Sequence, residues 1–149
     1  MTHERQSALP AASASARPND QADEPYVAIQ VMMLPRDTNA HGTIFGGLIL
    51  SYIDLAGAIA ARREVIRAGG PPPTVVTVAI NRVEFKQPVH VGDVVSFRTS
   101  VVRFGRTSVT IRIRVLAERG TTTLHVTEAE VVYVGVGSDG TPRPLFAAE

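Results

Sequence analysis

The chain has 149 residues, 44% of them hydrophobic and 19% charged, with a net charge of +1. That length suffices for one domain with a real core, and so small a charge gives long-range electrostatics no call for a nucleic-acid partner. There is no cysteine, which excludes disulfides, a thiolate nucleophile and thiolate metal ligands.

Residues 1–24 are rich in Ala, Ser, Pro, Gln and charge, with no apolar period. They predict a disordered tail ahead of one domain over 25–149. The tail's Glu4, Asp20, Asp23 and Glu24 argue against a transit peptide. It also lacks an apolar signal-peptide core, so a cytoplasmic protein is expected. Tyr26–Met33 alternates loosely and reads as a first strand, and Leu34–Thr43 as a loop with Pro35 and Asn39 as turn residues. Gly46–Arg67 reads as one long helix, ended by Gly69-Gly70 and by three prolines at 71–73 that cannot continue it. The apolar run Ile44–Ala61 raises the question of a membrane span. Asp54 near its middle would cost about 2.5–3.5 kcal/mol there. A buried helix is the better reading, and no membrane is expected.

Everything after the helix reads as β. Val75–Phe85 is rich in β-branched residues. Val95, Phe97, Thr99 and Val101 alternate with polar residues, and Val109, Ile111, Ile113 and Val115 do so strictly. Thr121–Val136 is a long last strand. The expectation is an α+β domain: one strand, one long helix, then a four-strand meander, with a curved antiparallel sheet of about five strands wrapped around the helix.

The stretch Pro35–Asp54 carries the chemistry. A carboxylate amid Leu50, Ile53, Leu55 and Ile59 loses hydration, so Asp54 needs a partner or a role, and burial would raise its pKa toward the range useful for a base. Gly46 and Gly47 permit close backbone approach and leave N–H donors at a helix start, where an oxyanion is favoured. Asn39 is suited to orienting a water or donating to a developing oxyanion. Its other reading is a turn residue that bonds its own backbone. His41 reads as a loop hydrogen-bonder more readily than as an acid or base. His3, His90 and His125 show no ligand spacing, so no metal is expected.

Gly135-Val136-Gly137-Ser138-Asp139-Gly140 satisfies a dinucleotide fingerprint, but Thr141 and two nearby prolines follow it where a helix should. No Gly-x-Ser-x-Gly elbow is present.

Pro35, Asp37-Thr38-Asn39, Gly42, Ile44-Phe45-Gly46-Gly47 and Asp54 form one set of motifs. Val76-Thr77-Val78-Ala79, Phe85, Pro88-Val89, Val91-Gly92-Asp93-Val94-Val95, Gly105-Arg106-Thr107-Ser108, Asp139-Gly140 and Pro142-Arg143-Pro144 form the rest. Together, over about residues 26–146, the chain resembles the small bacterial hotdog-fold acyl-CoA thioesterases related to brain-type acyl-CoA hydrolases. The resemblance implies hydrolysis of acyl-CoA to free acid and CoA, without a cofactor because the thioester is already activated. It implies Asp54 as base or nucleophile, and Asn39 of one subunit meeting Asp54 of another. Gly46, Gly47, His41 and Gly42 then form the substrate-facing loop and oxyanion donors. Thr77 would lie along the pantetheine, and Gly105, Arg106, Thr107 and Ser108 would suit anionic oxygens of CoA. The depth of an acyl pocket depends on which of Leu48, Tyr52, Ile53 and Phe85 close it.

Geometry adds a constraint. Gly46 and Asp54 are eight positions apart on one helix, about 12 Å along its axis, so one helix cannot bring both to a single thioester carbon. Two antiparallel copies can, which predicts a homodimer with its site across the two-fold. The resemblance suggests a trimer of such dimers. Two other classes are weighed: a hotdog hydratase or dehydratase, which wants a His paired with a carboxylate, and a non-catalytic acyl-CoA-binding module.

Overall fold

A computed structural model describes residues 24–147; the expected tail over 1–24, apart from its last residue, lies outside the described residues. The elements are β1 (Tyr26–Met32), a short 3-10 turn (Pro35–Asp37), α1 (Gly46–Arg67), β2 (Val75–Asn81), β3 (Val94–Phe104), β4 (Ser108–Arg119) and β5 (Thr122–Gly135). The expected helix matches α1 at both ends. It stops where Gly69 takes φ +97° and the Gly69 and Gly70 N–H groups bond back to the Ile66 and Val65 carbonyls, a left-handed cap that glycine adopts without strain.

The five strands form one antiparallel sheet in the order β1-β3-β4-β5-β2. The meander therefore has three strands, not four. β2 leaves it and pairs with β5 at the far edge. β2 is also shorter than expected. It ends at Asn81, where Arg82 takes φ +40°, a conformation that breaks an extended run. Apolar periodicity marks a strand but is silent about its neighbour. Each pairing carries a register shift, at Val27/Ile29, Thr77/Ala79, Val101/Arg103 and Val115/Leu116. Such bulges increase twist and let the sheet bend around the helix.

The core lies between α1 and the inner sheet face. Val95 and Phe97 of β3, Val109, Ile111, Ile113 and Val115 of β4, and Val131 and Tyr133 of β5 are fully buried against Ile49, Ile53, Ala56, Ala60 and Ala61 of α1. Small residues at 56, 57, 60 and 61 let the sheet approach the helix closely. The expectation of a helix buried all round does not hold within one chain. Leu55, Ile59 and Ile66 face outward.

Asp93 pins the end of this layer. It is only 2% exposed, and its carboxylate accepts from Arg119 Nε (3.0 Å), Arg119 Nη2 (2.8 Å) and the His90 N–H (2.9 Å). Burial pushes its carboxyl up, but the Arg119 guanidinium and the His90 N–H outweigh this and hold it below the ordinary carboxylate range. A depressed pKa contributes stability that is present above the unfolded value, near 3.9, and is lost as pH falls through the folded one. Arg119→Met is expected to lower Tm at neutral pH. The gap to wild type should narrow below about pH 4, where Asp93 of the unfolded chain begins to protonate. Melting curves at both pH values check this, and a pH-independent gap would contradict it.

Candidate active site

Asp54 sits on the third turn of α1, half-buried rather than buried. Two hydroxyls converge on it. Thr77 Oγ1 donates to Asp54 Oδ1 at 2.6 Å. Tyr133 Oη donates to the Asp54 backbone carbonyl at 2.6 Å and lies 3.3 Å from Oδ1. Sheet register brings them together, because Thr77 of β2 is paired with Tyr133 of β5. Burial, and then the adjacent Asp54 charge, push the Tyr133 phenol far above its ordinary value, so it acts as a neutral donor.

Tyr133 has room only because residue 57 is glycine. A Cβ there would overlap the Tyr133 hydroxyl. Gly57 flanks Asp54 at helical spacing, and the space it leaves is occupied by this phenol. The sequence reading missed Tyr133. Its one signal is an aromatic hydroxyl in an otherwise aliphatic run, Val131-Val132-Tyr133-Val134. Thr77, expected along the pantetheine, directs its hydroxyl to the carboxylate.

The loop ahead of α1 is tied together by its own bonds. Asn39 Oδ1 accepts from the His41 N–H (2.8 Å) and the Thr43 N–H (3.2 Å), and Asn39 Nδ2 donates to Thr43 Oγ1 (2.9 Å). The turn reading of Asn39 is thus real. The amide still holds a second N–H beyond that bond. Gly42 takes φ +83° beside an exposed His41. Among the described residues of one chain the His41 ring pairs with no carboxylate.

Phe45 caps α1 without a side-chain bond, and the Leu48 N–H is already satisfied by the Phe45 carbonyl (3.1 Å). The Gly46 and Gly47 N–H groups have no intrahelical acceptor. They are the donors left for an incoming oxygen. A Cβ at Gly47 would run into the Phe45 ring, whereas one at Gly46 would make only ordinary contact with Phe85 at 3.7 Å. A side chain at 47 would therefore displace the exposed Phe45 ring, and glycine at 46 leaves an open approach.

Gly105–Ser108 forms the β3–β4 turn. Gly105 N–H bonds the Ser108 carbonyl (2.7 Å), while the Arg106 and Thr107 carbonyls accept from Leu145 (3.0 Å) and Gly135 (2.8 Å). This pins the turn against the C-terminal segment and leaves the Arg106 side chain exposed. Within one chain nothing bonds the turn to Asp54, and nothing bonds Asn39 to Asp54. No cluster of three or more metal-ligating side chains occurs among the described residues. No helix among them is long and apolar enough to cross a membrane.

Residues 41–124 match the thioesterase superfamily profile. The chain belongs to the thioesterase superfamily. It is 38% identical to the acyl-CoA thioester hydrolase YciA of Salmonella typhimurium, over 85% of this chain and 94% of that one. It superposes on a hexameric hotdog fold thioesterase of Campylobacter jejuni with a TM-score of 0.72 at 43% identity, covering 82% of this chain and 90% of that one. A hexameric thioesterase of Yersinia pestis gives a TM-score of 0.75 at 36% identity, covering 83% and 97%. The helix wrapped by a five-stranded antiparallel sheet is the hotdog fold of these thioesterases.

Gly57→Ala is expected to destabilise the fold by about 1–3 kcal/mol through overpacking. Tyr133→Phe should cost about 1–2 kcal/mol for the lost bond to a buried carbonyl. Urea titrations of each variant test both values.

Proposed function

We propose that the protein hydrolyses acyl-CoA to a carboxylic acid and CoA, in sites that two antiparallel copies build jointly. The carrying observation is the separation of parts within one chain. Asp54 is held at the β2 side of the fold by Thr77, while the open N–H donors lie at the start of α1, about 12 Å away along the helix. An antiparallel second copy closes that gap.

The surface around Asp54 supports such a pairing. β2 is an edge strand. Val76, Val78 and Ile80 on it, with Leu55 and Ile59 beside Asp54, are exposed at 37–56%. Exposed apolar patches of this kind mark association surfaces, and an unpaired strand edge is a template for a second strand. The hexameric relatives support a homo-oligomer, read here as a trimer of dimers. The expected cytoplasmic location belongs to the same reading, since its substrate is a CoA thioester.

In this mechanism the thioester oxygen accepts from the Gly46 or Gly47 N–H, where the positive end of the α1 dipole favours developing negative charge. Asp54 of the partner copy takes a proton from the water that attacks the carbonyl carbon, and collapse of the oxyanion then breaks the C–S bond and releases CoA, whose sulfur takes up that proton. In the direct route the Asp54 carboxylate attacks the carbonyl carbon, the CoA thiolate leaves, and water hydrolyses the resulting anhydride. Thr77 fixes the carboxylate by donating to one oxygen and leaves the other for the reaction. Asn39 offers its second amide N–H to the water or oxyanion. His41 and Gly42 shape the loop over the substrate. Arg106, with Gly105, Thr107 and Ser108, meets CoA phosphate oxygens.

Thiol release from acyl-CoA tests the reading. Folded Asp54→Ala should lose about 10²-fold or more in kcat/KM. Mixing decides where the parts come from. Co-expressed Asp54→Ala and Asn39→Ala chains should regain activity, because each mixed pair holds one site with both residues intact. No recovery in mixed dimers that demonstrably form would place Asn39 and Asp54 in the same subunit's site. Absence of thiol release by wild type from every acyl-CoA would leave a binding module.

A further inference from the structure

We propose that the outer face of the sheet carries a phosphate-binding site, formed by Arg98 of β3 with Arg112 and Arg114 of β4. The site lies on the face turned away from α1 and Asp54, and it does not depend on the thioester-hydrolase reading.

Strand alternation puts the three arginines on one surface. Val95, Phe97, Ile111 and Ile113 turn inward and are fully buried, so Arg98, Arg112 and Arg114 point outward. Register brings them together. Arg98 is paired with Arg114, and Ser100, two residues along the same face, is paired with Arg112. These four residues line a cleft of about 220 Å³ beside Pro25, where the chain enters β1.

Two costs go unmet within the chain. Like charges directly opposite each other on a sheet destabilise it, and Arg98 faces Arg114 in that way. A buried donor without an acceptor is also unfavourable. Among the described residues, Arg98 Nε is the one buried side-chain polar atom that has no hydrogen-bond partner. The nearby carboxylates are engaged on the far side of the arginines, on β5. Glu130 Oε1 accepts from Arg112 Nη2 at 2.8 Å. Glu128 lies 3.3 Å from Arg112 Nε, 3.7 Å from Arg114 Nε and 4.0 Å from His125 Nε2. Among the described residues no carboxylate pairs with Arg98. Three guanidinium groups thus share two carboxylates, and the excess positive charge falls at Arg98. An anion between Arg98 and Arg114 relieves both costs.

Phosphate is the anion that suits the arrangement. Guanidinium forks pair with phosphate and carboxylate oxygens alike. A carboxylate has two oxygens in one plane and is filled by one fork. A tetrahedral phosphate spreads its oxygens, so it can accept from guanidinium groups on two strands and from the Ser100 hydroxyl at once. The adjoining cleft sets Glu84, Glu128 and Glu130 against Arg82 and Lys86. Its excess negative charge repels an anion and leaves the arginine cleft as the place for one. The phosphate belongs to a free phosphate or nucleotide, or to CoA.

Calorimetric titration of the full chain with inorganic phosphate, ADP and CoA tests the site, with acetate as the carboxylate control and all at one ionic strength. Affinity for at least one phosphate ligand should fall by about tenfold or more in Arg98→Gln. A fall for inorganic phosphate or ADP identifies a free phosphate or nucleotide as the source. A fall for CoA alone identifies CoA. In phosphate-free buffer Arg98→Gln should melt no lower than wild type, because it removes a like-charge pair. The bound ligand should raise Tm for wild type and not for the variant. Arg98→Lys, which keeps the charge and loses the fork, replaces the glutamine variant if that does not fold. No binding of any phosphate ligand, or equal affinities in wild type and a folded variant, would overturn the site. Acetate bound as tightly as phosphate would overturn the phosphate assignment. Binding is read without thiol release, so failure here leaves the hydrolase reading untouched.

Discussion

The close approach of α1 to the sheet at Gly57 is the constraint on which the candidate site depends. With no Cβ at that position, the Tyr133 hydroxyl reaches the helix backbone and bonds the Asp54 carbonyl. That contact locks the rotation of α1 against β5. Sheet register then sets Thr77 beside Tyr133, so the hydroxyl that holds the Asp54 carboxylate arrives from the neighbouring strand. A carboxylate placed by a helix, a central strand and an edge strand together has little freedom to move, and reaction geometry demands that of a base or nucleophile.

The same helix ends in groups that one chain leaves unsatisfied. At its start, glycine N–H donors have no cap. Along its outer face, Leu55 and Ile59 meet solvent beside the apolar residues of β2. So much exposed apolar surface would be unusual in a protein that acted as a monomer. Both features fit a molecule whose second copy covers the apolar face and whose substrate occupies the helix start. In the proposed mechanism oxyanion stabilisation acts at the start of α1 and the hydrophobic effect along its outer face.

Asn39 shows how one side chain can satisfy two readings. Its carbonyl oxygen organises the loop by accepting from two backbone N–H groups, and its amide nitrogen binds Thr43. A loop fixed in this way presents the remaining amide N–H in a defined direction. The loop role and the proposed chemical role therefore reinforce each other. The Phe85–Val89 segment follows the same logic: the Lys86 N–H bonds the Val126 carbonyl of β5 and the Ile44 N–H bonds the Val89 carbonyl, which hold the segment in place.

Much of this was legible in the residues themselves. The ends of α1 are written in Gly46-Gly47 and Gly69-Gly70, because helix termini depend on local backbone preference. Alternation along Val109–Val115 marks a half-buried strand, because side chains in a strand point to opposite faces. Asp54 stands out because a carboxylate in an apolar run is costly without a role. What required tertiary structure is everything that joins distant positions. The placement of β2 beside β5, the meeting of Thr77 and Tyr133 at Asp54, and the half-exposed face of α1 each follow from long-range pairing. Periodicity carries no record of which strand a strand will pair with. Local sequence therefore determined the elements and the reactive residue types, while the packing of helix on sheet decided which of them touch.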